Sequence, residues 1–172
     1  MIKKFFSDSP LKKIMVFGTF DILHPGHINF LEQAKKCGNY LIVVLARDEN
    51  VKKIKGFFPR LDERARKKIV EALEMTDEVI YGDKKDYFKK IAENKPDIIC
   101  LGYDQKIPNN FKEELKKRGV VTKIIRMKAY KPKRYKSSII IKHKATQAVI
   151  LNAVKDLGRM PASAGNSSFH SE

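Results

Sequence analysis

Acidic residues are scarce in this chain relative to basic ones. Twenty Asp and Glu stand against 36 Lys and Arg, a formal charge of +16 over 172 residues. Cysteine is scarcer still: only Cys37 and Cys100 occur. That is too few for a disulfide-held scaffold, and both read as buried packing residues in a reducing, cytoplasmic setting. The 9 Gly and 7 Pro follow no period, which excludes collagen-like and low-complexity chains. Long hydrophobic runs are missing. The longest clean one, Leu41 to Ala46, is far short of a membrane span. Met1 to Lys13 lacks the apolar stretch of a secretory signal. No internal repeat is visible.

Apolar residues make up 42% of the chain, enough for one domain with a core. The pI near 9.8 points to acidic partners such as nucleotides, nucleic acid or pyrophosphate. Most of the excess is lysine spread along the chain, which a solvated surface explains equally well. Charge therefore selects no function.

Short β-rich runs alternate with helical patterns. Strands are expected at Lys13 to Phe17, Tyr40 to Ala46, Glu78 to Tyr81, Asp97 to Leu101 and Val120 to Ile125. A helix is expected from Pro25 to Cys37, with Ile28, Leu31 and Ala34 on one side. Another opens at Asp62 or Glu63 and carries Ala65, Ile69, Val70 and Leu73 as its apolar positions. A third is capped by Asp83 and buries Tyr87, Phe88 and Ile91. A fourth runs from Asn109 or Asn110 to Gly119, and a last one is capped by Ser137 or Ser138. The stretch from Lys52 to Leu61 reads as a basic loop with a flap at Gly56, Phe57, Phe58 and Pro59. Five such β-α units imply an α/β fold: a Rossmann-like, doubly wound, parallel five-stranded sheet with helices on both faces. Residues 1–12 form a leader, 13–155 the domain, and 156–172 a tail of small and polar residues expected to be disordered. Ligands of such sheets bind at the carboxyl ends of the strands, so chemistry is expected in the loops that follow them.

The first of those loops reads Gly18-Thr19-Phe20-Asp21-Ile22-Leu23-His24-Pro25-Gly26-His27. Pro25 suits the first helical position. Gly26 and His27 then fall where backbone N–H groups are free to bind phosphate. His24 and His27 are three apart and share one side of that turn. Gly18 permits close approach, Thr19 adds a hydroxyl, and Gly26 leaves no side chain in a phosphate's way. Two of four histidines in one helix start point to a polyphosphate cradle. A zinc pair would need a third ligand, and neither cysteine is near in sequence. Gly102, Tyr103 and Asp104 follow the fourth strand. Ser137 and Ser138 offer N–H and hydroxyl donors behind a cationic run of Lys131, Lys133, Arg134 and Lys136.

Gly18 to Asp21 followed by His24-Pro25-Gly26-His27 resembles the HxGH signature of the nucleotidylyltransferase superfamily. The resemblance extends from about Lys13 to about Lys144 and is closest to the cytidylyltransferase-like family. The phrases Ala46-Arg47-Asp48, Tyr81 to Phe88 and Leu101 to Gln105 look most like archaeal-type FAD synthases, then like glycerol-3-phosphate cytidylyltransferases. The latter carry a further arginine in the stretch matching Glu74 to Asp77, where this chain has none.

The resemblance implies transfer of AMP or CMP from ATP or CTP, with Mg²⁺, to a phosphorylated acceptor. FMN is the first choice of acceptor and a small phospho-alcohol the alternative. It implies His24, His27 and Lys55 as catalytic groups. It implies Gly18, Thr19, Phe20, Gly26, Arg66, Gly102, Tyr103, Asp104, Arg134, Ser137 and Ser138 around the nucleotide. Asp21 stands beside them for acceptor positioning or capping. The arginine of the family's serine motif falls on Lys131 here, while Arg134 lies nearer the serines. A homodimer is expected by analogy alone, and no membrane role. A non-catalytic nucleotide-binding or RNA-binding module is the reading of another class. It is disfavoured because no RNP, KH or helix-turn-helix pattern occurs and both motif histidines are intact.

Overall fold

The computed structural model describes residues 10–135. Five strands form one sheet in the order β3-β2-β1-β4-β5, every pair parallel. They are β1 (Lys13–Gly18), β2 (Tyr40–Leu45), β3 (Glu78–Tyr81), β4 (Ile98–Leu101) and β5 (Lys123–Arg126). The helices are α1 (Pro25–Lys35), α2 (Asp48–Lys55), α3 (Glu63–Glu71), α4 (Lys89–Asn94) and α5 (Phe111–Lys117). This is the expected doubly wound α/β architecture. The sequence order reverses at β1, which puts the switch point between β1 and β4.

The central strands are apolar on both sides because both faces are covered. Ile14 and Val16 of β1, with Leu41, Val43 and Leu45 of β2, pack against Leu31 and Ala34 of α1 and Val70 of α3. Met15, Ile42, Val44, Ile99 and Leu101 face the other way, onto Ile91 of α4 and Phe111 and Leu115 of α5. Period-two alternation along β1 thus serves two cores at once. Among the described residues no helix is long and apolar enough to cross a membrane.

Several local expectations are corrected. Lys52 to Lys55 are not loop: they close α2, which Gly56 ends in a left-handed conformation at φ 82°. Six charged or polar residues around one buried position, Val51, hid that helix. Asp83 caps no helix. Its carboxylate accepts from the N–H groups of Lys85 and Asp86, so it shapes a turn, and α4 starts only at Lys89. Tyr87, expected buried, is 41% exposed while its ring stacks on Phe17 at 5.7 Å. Helix α1 ends two residues earlier than expected, and Asn110 precedes α5 without a side-chain cap. Strand β5 starts later than Val120, because the Val120 N–H closes the exit of α5 on Leu115 and Val121 is 96% exposed. The expected helix after Ser137 lies outside the described residues.

Candidate active site

The carboxyl end of β1 is where the sequence motif folds into a site. His24 occupies the N-cap of α1, and Pro25 follows at the first helical position. The Gly26 N–H donates to His24 Nδ1 at 3.1 Å. The His24 and His27 rings stack, with centroids 3.8 Å apart and planes 21° from parallel. Burial lowers the His24 pKa to about 4. For His27, burial and then repulsion from His24 lower it to about 3. Both rings are therefore neutral near pH 7. Because His24 Nδ1 is an acceptor, its proton sits on Nε2, which makes that atom a hydrogen-bond donor. His27 hydrogen-bonds the Ile22 backbone. Its Nδ1 is buried with no partner among the described residues. A buried polar atom without a partner is rare and costly.

The two motif glycines are required by packing. A Cβ on Gly26 would lie 2.9 Å from the His24 ring and 2.9 Å from the Tyr135 carbonyl oxygen. The place of a side chain at Gly26 is thus taken by the imidazole and by the chain after β5. A Cβ on Gly18 would lie 2.4 Å from the Phe20 ring. Phe20 itself, expected beside the nucleotide, is buried in the first core in a left-handed conformation at φ 50°. Its ring meets His27 edge-on at 5.2 Å, so it supports the histidine from below.

Lys55, at the end of α2, donates to Thr19 Oγ1 at 3.2 Å. Partial burial lowers its pKa, and Asp21 nearby opposes that shift. Asp21 accepts from the Leu61 N–H at 2.9 Å and so ties down the turn between α2 and α3. Thr19, Asp21, His27 and Lys55 are therefore brought together.

Arg66 is brought in differently from expectation. It was expected beside the nucleotide, yet its side chain is fully buried. It donates to the carbonyls of Thr19 (2.5 Å), Ala46 (2.8 Å) and Leu61 (3.1 Å) and to Asp48 Oδ1 (2.6 Å). The guanidinium joins the ends of β1 and β2 to the loop before α3. Asp48 and Glu63 also exchange backbone bonds, each carboxylate accepting from the other's N–H.

Gly102, Tyr103 and Asp104 stand at the end of β4, across the switch point. Arg126 holds that loop, donating from Nη1 to the carbonyls of Gly102 (2.7 Å) and Gln105 (2.9 Å). Beyond β5, Gln33 of α1 clasps Lys128: its Oε1 accepts from the Lys128 N–H at 3.0 Å and its Nε2 donates to the Lys128 carbonyl at 3.1 Å. The following turn is closed by the Tyr130 and Tyr135 rings, stacked 5.9 Å apart, with Arg134 over Tyr135. Tyr135 then abuts Gly26. Ser137 and Ser138 lie outside the described residues. Asp48, Arg126 and Gln33 escaped the sequence reading. Asp48 and Arg126 had a signal, a charged residue just past or at the end of a strand. Gln33 had none. Among the described residues no group of three or more His, Cys, Asp or Glu could enclose a metal ion.

This geometry can cradle an anionic chain between β1 and β4 with neutral imidazole, hydroxyl and ammonium donors. The sequence model of the family described as cytidylyltransferase-like matches residues 15–143. The FAD synthase of Ferroglobus placidus is 50% identical over 121 residues, covering 69% of this chain and 78% of that protein. The FAD synthase of Archaeoglobus profundus is 50% identical over 128 residues, covering 73% and 81%. The crystal structure of the lipopolysaccharide core biosynthesis protein from Thermoplasma volcanium matches with a TM-score of 0.67 at 40% identity, over 70% of this chain and 99% of that one. With a family match over most of its length and relatives at 50% identity, the chain belongs to the cytidylyltransferase-like family of nucleotidyltransferases.

Proposed function

We propose that the protein transfers AMP from Mg·ATP to FMN, forming FAD and pyrophosphate. The observation that carries this reading is the stacked, neutral His24–His27 pair at the start of α1, opposite Lys55 and Thr19. The FAD synthase names of relatives at 50% identity support the choice of acceptor. An oxygen of the FMN phosphate attacks the α-phosphorus in line, the bond to the β-phosphate oxygen breaks, and pyrophosphate leaves. The attacking phosphate is already anionic, so no general base is needed. Catalysis rests on positioning and on donors aimed at the oxygens that gain charge. The His24 Nε2–H is one such donor. His27 holds the His24 ring in place through the ring stack and its bond to the Ile22 backbone. The described side chains form no metal cage, and magnesium enters on the nucleotide phosphates as part of the substrate.

The test is pyrophosphate release with Mg·ATP or Mg·CTP, with and without FMN. Release that needs FMN and ATP, and falls at least about 100-fold in His27→Ala, supports the reading. Release with glycerol 3-phosphate and CTP in place of FMN and ATP replaces it with the phospho-alcohol alternative.

A further inference from the structure

The turn between α2 and α3 exposes two adjacent phenyl rings, Phe57 at 55% and Phe58 at 54%. Neither takes part in the phosphate cradle, yet both ends of the turn do. Lys55 before it bonds Thr19, and Leu61 after it bonds Asp21. Phe58 lines an open cavity of about 440 Å³ together with the cations Arg47, Arg64 and Lys84 and the carboxylates Asp48, Glu49, Asp62 and Glu63. Lys52 covers one side of the Phe58 ring at 4.5 Å. The cavity is tied to the cradle through the buried Arg66, which bonds both the lining residue Asp48 and the Thr19 carbonyl. Arg47 also carries an unmet need. Its Nη1 pairs with Glu63 at 3.1 Å, but its Nε is buried and has no partner among the described residues.

We propose that this cavity is the seat of the acceptor's planar ring system, with Phe58 as its stacking platform and Arg47 as a donor to its pyrimidine edge. The proposal rests on FMN being the acceptor. An isoalloxazine presents a broad π-face, which suits a phenyl wall. Its pyrimidine edge carries acceptors at N1, O2 and O4, which suit the cations Arg47, Arg64 and Lys84. It carries one donor, N3–H, which suits a carboxylate such as Glu49. The ribityl chain then leads from the cavity past the turn of Phe57 and Phe58 toward Lys55 and Thr19, leaving the acceptor phosphate beside the histidines. A small phospho-alcohol would leave this cavity empty, so Phe58 is a specificity residue for a ring-bearing acceptor.

The experiment compares wild type with Phe58→Ala, Phe58→Trp and Phe57→Ala, the last lying outside the cavity lining. Three readouts are taken: FMN fluorescence quenching on binding, KM for FMN against KM for ATP, and thermal melting. Phe58 is half exposed, so the variants are expected to melt as the wild type does. The proposal predicts that Phe58→Ala raises KM for FMN about tenfold and abolishes quenching, with kcat and KM for ATP within about twofold. Phe58→Trp restores both readouts, and Phe57→Ala leaves them unchanged. FMN-dependent release with wild-type KM and quenching in Phe58→Ala overturns this inference and leaves the function standing. Failure of the wild type to release pyrophosphate with FMN overturns both.

Discussion

The histidine pair shows how little of a residue's behaviour is in its own chemistry. Free imidazole titrates near neutrality, but burial holds His24 at about 4 and His27 at about 3. The unfolded chain returns both toward the ordinary 6.5. Below 6.5 the unfolded state therefore binds more protons than the folded one, and stability rises with pH across that window. The expected outcome is full stability above 6.5 and a progressive loss as pH falls toward 4. Replacing His24 or His27 with Asn flattens that loss. Denaturant unfolding of wild type and variants at pH 7, 6 and 5 checks it. The motif was legible here because its residues are neighbours in the chain. The stack, the orphaned Nδ1 and the tautomer were not, because they depend on what buries them.

At the scale of elements, α3 carries the clearest lesson. Its apolar periodicity put Ile69 inward, yet Ile69 is 40% exposed and Arg66 takes the buried row with Val70 and Leu73. A charged residue reads as surface in any hydrophobic pattern. It can be buried here because two strand-end carbonyls, the Leu61 carbonyl of the loop before α3, and Asp48 meet its donors. Arg66→Ala strands those acceptors and is expected to destabilise the fold by about 3 kcal/mol. Arg66→Lys recovers little, since one ammonium cannot span the fork. Chemical denaturation reads both, and activity falls with the loosened Thr19 backbone. Helix α2 was missed for the opposite reason: its single buried residue, Val51, leaves too little pattern to read.

Over the whole molecule, the site depends on chain segments far apart in sequence. Gln33 is 95 residues from Lys128, yet its amide substitutes for a strand partner and steers the chain after β5 back over the start of α1. Tyr135 reaches Gly26 only because of that turn. Gln33→Ala removes three hydrogen bonds, two to the Lys128 backbone and one to Asn29 Oδ1, at a half-buried position. The expected result is a small change in melting temperature and a KM for ATP raised about fivefold, from about 1 kcal/mol of lost positioning. Steady-state kinetics alongside thermal melts separates the two effects.

The sequence alone determined the alternation of strands and helices, the parallel sheet and the position of the histidine motif. Each is a local or periodic property: strand runs buried on both faces, a proline at a helix start, two histidines three apart. Tertiary structure decided the rest. It buried Arg66, expected beside the nucleotide, as a clasp between strand ends, placed Phe20 under His27, and set Arg126 across the loop of Gly102. It also brought the turn of Phe57 and Phe58 beside Thr19 and Asp21. Those outcomes depend on which carbonyls, rings and carboxylates meet in space, and no spacing along the chain encodes such meetings.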